Sequence, residues 1–391
     1  MKCACCDKNN FSNLITFNRF PLINSVVDNN NNINYKFYRL SYSYCKFCYF
    51  VKITSRKNKK LIEKFYEKNY SYFSPLLNKD INFSRDNYFL KKVTPWIKKK
   101  KLSENIFEIG GYDGYILKKL KKFFKYHEGF DPSEGADIGK KVGINIKKKF
   151  FDSKNLPKKK FELIITRHVI EHIHNLDNFI KNIKKIMFKE SILILETPNF
   201  EYFINKNKTE CFSYQHVSCF NYTAISNLFS KHDMICFKKY LGENMILFFK
   251  IKENQNISFK KLKNLSYNYF QKNIKSYESK VKLIIEQNLI KKKKYAIWGT
   301  GGYAHSIIYN YHLDINQISF FIDNNLKNIK KKIYGINKPI YHSRSIKTKL
   351  KQLDFILIAS MYYKDILIQI EKLDFPIKIL ILPNKIININ S

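Results

Sequence analysis

Between residues 105 and 200, four short apolar runs, "NIFEIGG", "YHEGFDPS", "FELIITRH" and "SILILETP", alternate with lysine-rich stretches of helical length. Runs this short with little polar alternation read as strands buried on both faces, and the stretches between them as crossover helices, which makes the strands parallel. Two further runs, "MICFKKY" and "MILFFKI" around "LGEN", read as an antiparallel pair closing the same sheet. Beyond them, apolar residues at helical spacing (Phe259, Leu262, Phe270, Ile274, Tyr277, Val281, Ile284) predict helix over 257–290. A second α/β unit then runs from "YAIWGTGGYAH" through "ISFFIDNN" and "DFILIAS" to "IKILILP". A chain of 391 residues has room for three domains. They are expected at 1–95, rich in cysteine and tyrosine, at 96–250, and at 251–391.

The formal charge of +39 would ordinarily direct attention to nucleic acid. Only six of the 71 basic residues are arginine, the residue whose planar fork reads phosphate bidentately, and the lysines are dispersed along the chain. With Asn, Ile, Phe and Tyr also abundant, the charge reads as compositional bias, and no nucleic-acid partner is expected. Neither a membrane-length apolar run nor the apolar region of a signal peptide is visible, so a cytoplasmic protein without a membrane partner is expected.

Cys3-Ala-Cys5-Cys6 and Cys45-Lys-Phe-Cys48 form two Cys-x-x-Cys pairs. That spacing lets two thiolates point at one ion, and four sulfurs satisfy zinc without leaving a position for water, so a structural zinc on Cys3, Cys6, Cys45 and Cys48 is expected. Cys5 could stand in for a neighbour. Cys211, Cys219 and Cys236 read as ordinary cysteines.

"FEIGGYDGYIL" places Glu108, Gly110, Gly111, Asp113 and Gly114 on a turn from an apolar strand into a helix, where glycines let the backbone approach a ligand. Asp131, ending the next strand, can accept from two ribose hydroxyls, and Asp152 follows a third apolar stretch. The form Glu-x-Gly-x-x-x-Gly, rather than Gly-x-Gly-x-x-Gly, favours S-adenosylmethionine over a dinucleotide.

The order of the cysteine pairs, "EIGGYDGYIL", "GFDPSEGA", "VIEHI", "LETPN", "YQHVSCF" and the terminal α/β unit resembles the three-part sugar C-methyltransferases that act on nucleotide-linked keto-deoxysugars. The resemblance implies a zinc-binding N-terminal domain, a central class I (Rossmann-like) methyltransferase domain, and a C-terminal Rossmann-type α/β domain that helps enclose the sugar nucleotide. The family's Tyr-His-Glu-His-Leu-Ser run, whose second histidine is the base, falls on Ser213 to Ser218. His216 is kept, while Tyr214 and Gln215 replace the first histidine and the glutamate. It further implies that Tyr70 and Tyr72 in "EKNYSYFSP", together with Tyr214 and Gln215, face the substrate.

A base is needed because a carbon beside a ketone is not nucleophilic until its proton leaves, and imidazole can take that proton near neutrality. Gln215 can hydrogen-bond but brings no charge to stabilise an imidazolium. "RHVIEHIH" matches the inverted zinc-protease motif at His168, Glu171 and His172, but it follows a strand of a nucleotide-type sheet, so His172 is read instead as an orienting residue beside His216. Methyl transfer to oxygen or nitrogen of another metabolite and a zinc-stabilised binding module are the alternatives. The second glycine loop, "GTGGYA" at 299–304 with Asp323 after the next strand, could hold a dinucleotide by itself, or serve the substrate.

Overall fold

The computed structural model describes residues 2–23, 26–28, 36–55, 74–77, 83–206, 208–252, 259, 271–276, 279, 293–360, 362–381 and 385–389. Tyr70, Tyr72 and most of the helix expected over 257–290 lie outside them. Two compact units are present: Met1–Ile15, Ser41–Phe203 and Gln215–Leu265 form the first, and Thr16–Leu40, Ile204–Tyr214 and Ser266–Ser391 the second. The chain leaves the first unit within β1 (Phe11–Pro21), passes β2 (Val26–Asp28) and returns within β3 (Phe37–Cys45), which precedes β4 (Val51–Ile53).

After helix α1 (Ser84–Lys100) the first unit alternates β5 (Asn105–Ile109), α2 (Tyr115–Leu120), β6 (Tyr126–Asp131), α3 (Gly135–Lys141), β7 (Ile146–Lys148) and β8 (Phe161–Arg167). It continues through α4 (Leu176–Lys185), β9 (Met187–Pro198), α5 (Phe200–Asn205), β10 (Ser218–Cys219), α6 (Tyr222–Ser230), β11 (Met234–Leu241) and β12 (Asn244–Ile251). Seven of these strands make one sheet, in the order β11-β12-β9-β8-β5-β6-β7. The four expected strands are parallel neighbours, and β12 runs antiparallel to both β9 and β11. Strand β7 was not expected, because only Ile146 of its three residues points inward and two lysines follow.

Alternate residues of the central strands enter opposite cores, as the two-residue period of a strand requires. Phe107, Ile109, Ile164, Leu193 and Leu195 pack on the face covered by Phe179, Ile180 and Ile183 of α4. Ile106, Leu163, Ile165 and Ile194 pack on the other, against Phe89, Val93 and Ile97 of α1. The first of these cores also takes in Cys3, Cys6, Cys45, Cys48 and Phe50.

The second unit contains β13 (Tyr295–Trp298), α7 (Gly302–Asn310), β14 (Ile318–Asp323), β15 (Lys331–Ile333) and β16 (Ile340–His342). It ends with α8 (Lys347–Leu350), β17 (Phe355–Ile358), α9 (Tyr363–Glu371), β18 (Ile377–Ile381) and β19 (Lys385–Ile389). Its sheet has the order β16-β14-β13-β17-β18-β19, parallel but for the final strand, while β15 pairs with β2. Among the described residues no helix is long and apolar enough to cross a membrane.

Phe107 is fully buried, with its ring 5.1 Å from that of Phe130 and 4.9 Å from that of Phe161. Phe107→Ala should cost about 3–5 kcal/mol in the unfolding transition of this unit, measured by urea titration followed by far-ultraviolet circular dichroism.

Candidate active site

Strand β5 ends at a turn that few side chains could enter. Gly110 has φ +69°, and a Cβ there would lie 2.3 Å from Val169 Cγ2. Gly114, at φ +72°, begins α2 and faces Ile144. Between them the loop is pinned by carboxylates. Asp131, at the end of β6, accepts from Tyr112 N at 2.8 Å, from Ser133 N at 2.9 Å and from Ser133 Oγ at 2.5 Å. Asp113 accepts from Tyr115 N at 3.0 Å and also holds the preceding segment, taking Ser74 Oγ–H at 2.6 Å and Leu76 N–H at 3.1 Å. Glu108 is buried against Gly111 and accepts from Leu117 N at 3.3 Å. Burial pushes its carboxyl up to about 8, a rise opposed by Arg167. Asp152 follows β7 and closes its own turn through Lys154 N, Asn155 N and Asn155 Nδ2. The turn at β5 thus gathers Glu108, Gly110, Gly111, Asp113, Gly114 and Asp131 at the carboxyl ends of two neighbouring strands, where sheet topology places ligands.

The end of β8 carries groups that periodicity does not reveal. Arg167 is largely buried, bonds Glu196 Oε2 through Nε at 2.5 Å, and pairs with Asp86 Oδ1 at 2.9 Å. Its guanidinium lies 4.4 Å from the Phe89 ring centre. The one legible sign is an arginine closing the apolar run "FELIITR" in a chain that has six.

His168 follows with φ +53°, so it and His172 do not share one helical face. A single 3-10 turn, Ile170–His172, separates it from α4, whose cap is Asn175, accepting from Asn178 N at 3.0 Å. His168 Nδ1 instead faces Glu171 Oε1 at 3.3 Å, and Thr197 Oγ1 donates to Glu171 Oε2 at 3.1 Å. Burial raises the Glu171 carboxyl to about 8.

His172 Nδ1 lies 2.8 Å from the carbonyl of Gln215, which can only accept, so Nδ1 carries the proton and Nε2 keeps its lone pair. Burial and the neighbouring His216 lower His172 to about 3, leaving it neutral at pH 7. The rings of His172 and His216 are 5.0 Å apart between centroids, and Tyr42 Oη donates to the His216 carbonyl at 2.6 Å. Donor atoms of Glu171, His172 and His216 fall within 4.8 Å of one another. The cluster thus brings one carboxyl and two imidazoles within reach of a single small group. Tyr214 is assigned to the second unit, buried, with its hydroxyl donating to the Arg39 carbonyl at 2.7 Å.

The four expected cysteines converge. Cys3 Sγ is 3.7 Å from Cys48 Sγ and Cys6 Sγ is 3.6 Å from Cys45 Sγ, with all four sulfurs within 4.8 Å of one another. Sulfurs 2.3 Å from a tetrahedral ion would be about 3.8 Å apart, so the spacing fits a zinc-sized ion. The two pairs also share a backbone form. Asp7 and Tyr49, each following the second cysteine, have φ +58° and +57°, and donate to the carbonyls of Cys3 and Cys45 at 3.0 and 2.8 Å. Burial holds the Cys6 thiol up at about 12, so this sulfur resists ionisation unless a dication is present to compensate it.

In the second unit, Gly299 has φ +119° and abuts the carbonyl of Ala359. The Asp323 carboxylate, which a dinucleotide would need for its ribose, is taken up by Thr300 Oγ1, by Asn328 Nδ2 at 3.1 Å and by Asn325 N at 2.7 Å.

Residues 64–234 match a family model described as a methyltransferase domain. The protein is a methyltransferase that uses S-adenosylmethionine, built on a class I sheet. Solved structures with which it aligns include magnesium protoporphyrin IX methyltransferase from Synechocystis PCC 6803 with bound S-adenosylhomocysteine, at 12% identity and TM-score 0.39, covering 50% of this chain and 100% of that one. A methyltransferase from Clostridium acetobutylicum ATCC 824 aligns at 12% identity and TM-score 0.36, over 49% of this chain and 98% of that one. The methyltransferase class follows from the family match and the strand order. No curated protein sequence matches the chain.

Glu108 and Glu171, both raised to about 8, bind more protons folded than unfolded. Such a carboxyl stabilises the fold fully below its unfolded pKa and loses that contribution as pH rises through the folded value. The depressed His168 and His172 act oppositely, but only below about pH 6.5. Between pH 6.5 and 8 stability should therefore fall, by at most about 1.4 kcal/mol per pH unit for each carboxyl, and Glu171→Gln should flatten the slope in urea titrations.

Proposed function

We propose that this methyltransferase places its methyl group on a nucleotide-linked deoxy or keto sugar, or a related glycan precursor, with His216 as general base. The observation that carries this reading is the imidazole pair. His216 lies beside a neutral His172 that donates to the adjacent Gln215 carbonyl, and His172 follows the strand next to the one bearing the glycine turn. S-adenosylmethionine supplies a methyl on a sulfonium. Asp131 would accept from its ribose hydroxyls, Glu108 braces the turn from within, Gly110, Gly111 and Gly114 keep the space clear, and Asp113 and Asp152 hold the flanking segments.

His216 takes the proton from the carbon next to the sugar ketone. The resulting enolate carbon forms the bond to the methyl, and the carbon–sulfur electron pair leaves with sulfur. His172 keeps the base in place by fixing the backbone before it. Zinc on Cys3, Cys6, Cys45 and Cys48 serves structure, and the protein acts in the cytoplasm, whose reducing conditions keep cysteines as metal-binding thiols.

Transfer to oxygen is the second reading, favoured by Gln215, which brings no charge beside the base. Product NMR separates the two after incubation with nucleotide-linked keto-sugars: a new carbon-bound methyl supports the first, and an O-methyl signal the second. His216→Ala should lower kcat by about 100-fold or more, and turnover at the wild-type rate would remove His216 as base. Asp131→Ala should weaken S-adenosylmethionine binding about tenfold in calorimetry while leaving the cysteine site loaded.

A further inference from the structure

We propose that the four-cysteine hairpin is the positioning device for the His216 segment, with Tyr42 and Asn221 as its grips, so that metal occupancy sets where the imidazole stands. The consequence for catalysis rests on His216 being the base, whereas the mechanical coupling does not. From 216 to 221 the backbone is held largely by residues 42–53, which flank and include the second cysteine pair. Tyr42, fully buried three residues before Cys45, donates to the His216 carbonyl at 2.6 Å. Ile53 N donates to the Val217 carbonyl at 3.0 Å, and β10 pairs with β4 through Ser218 with Lys52 and Cys219 with Val51. The Phe220 ring sits 5.3 Å from that of Phe50.

Asn221 completes the link. Its Nδ2 donates to the carbonyls of Cys48 at 3.0 Å and Tyr49 at 3.1 Å, while its Oδ1 caps α6 by accepting from Ala224 N at 2.9 Å. Just past the other end of α6, Lys231 Nζ reaches the Ala4 carbonyl at 2.9 Å and Asp7 Oδ1 at 3.1 Å, both within the first cysteine turn. The two cysteine turns therefore grip opposite ends of one helix, and an ion shared by their sulfurs fixes the span between the grips. Among the described residues, the side of the catalytic sheet also holds this segment at Gln215, through His172, and at Phe220, whose carbonyl accepts from Phe200 N at 2.8 Å and which bridges to Asn199. Without the ion the two cysteine turns lose their cross-link, and β4, Tyr42 and Asn221 lose the frame that aims them.

Hydrogen exchange in full-length protein, zinc-loaded and then stripped by chelation, tests the coupling. Stripping should speed exchange at 216–219 at least about tenfold while S-adenosylmethionine affinity changes by less than about threefold. Tyr42→Phe should keep one zinc per chain, shift the His216 ring resonance in NMR titration, and lower kcat at least about tenfold with KM nearly unchanged. Asn221→Ser keeps a capping oxygen but loses the Nδ2 donor, and should also speed exchange at 216–219 without melting α6.

Unchanged exchange on metal removal, or a Tyr42→Phe protein with wild-type exchange and His216 resonance, would overturn the proposal. His216→Gln separates the two ideas. Wild-type turnover in that variant removes the base, yet leaves the exchange difference between loaded and stripped protein intact.

Discussion

The central strands of the first unit have no polar face to spare. Phe107 and Ile109 fill one core and Ile106 the other, and the same division holds for β8 and β9. A sheet saturated with apolar contacts on both sides leaves its chemistry to the strand ends. The glycine turn, Asp131, Arg167 and the histidine segment all lie where a strand stops, and the first and third are held from neighbouring strand ends. Asp131 bonds the turn after β5, and Glu196 of β9 bonds Arg167 of β8.

Placing charge at the edge of such a core is costly unless it is paired, and the pairing here is thorough. Arg167 meets Asp86 and Glu196 and lies over Phe89, so its guanidinium keeps its charge despite burial. Glu108 and Glu171, which lack an equally close cation, are pushed towards the neutral form. The site therefore combines fixed charges that shape it with protonatable groups poised near neutrality. His172 is poised in the opposite sense, uncharged and aimed by a carbonyl.

Much of this was legible beforehand, for identifiable reasons. Apolar runs, glycines at a turn and Cys-x-x-Cys pairs are local signals, since each depends on residues within a few positions of one another. Short edge strands were not legible: β7 offers one inward isoleucine, and β15 and β16 are three residues each. The match to a zinc-protease motif at His168, Glu171 and His172 shows the limit of spacing. The left-handed backbone at His168 breaks the helix that would have put both imidazoles on one face. Apart from the arginine that closes "FELIITR", neither the acids of Arg167 nor the hairpin contacts of Tyr42 and Asn221 gave a pattern, because those partners stand 29 to 174 positions away.

The sequence by itself determined the α/β alternation, the position of the glycine turn, and the cysteines able to share an ion, because period, glycine and thiol spacing act over short stretches of chain. Only the tertiary structure decided which histidine meets which. His172 and His216 are 44 residues apart along the chain, yet their rings stand 5.0 Å apart. They meet because one follows the carboxyl end of β8, in the middle of the sheet, while the hairpin of residues 42–53 holds the segment bearing the other, and no local preference encodes either approach.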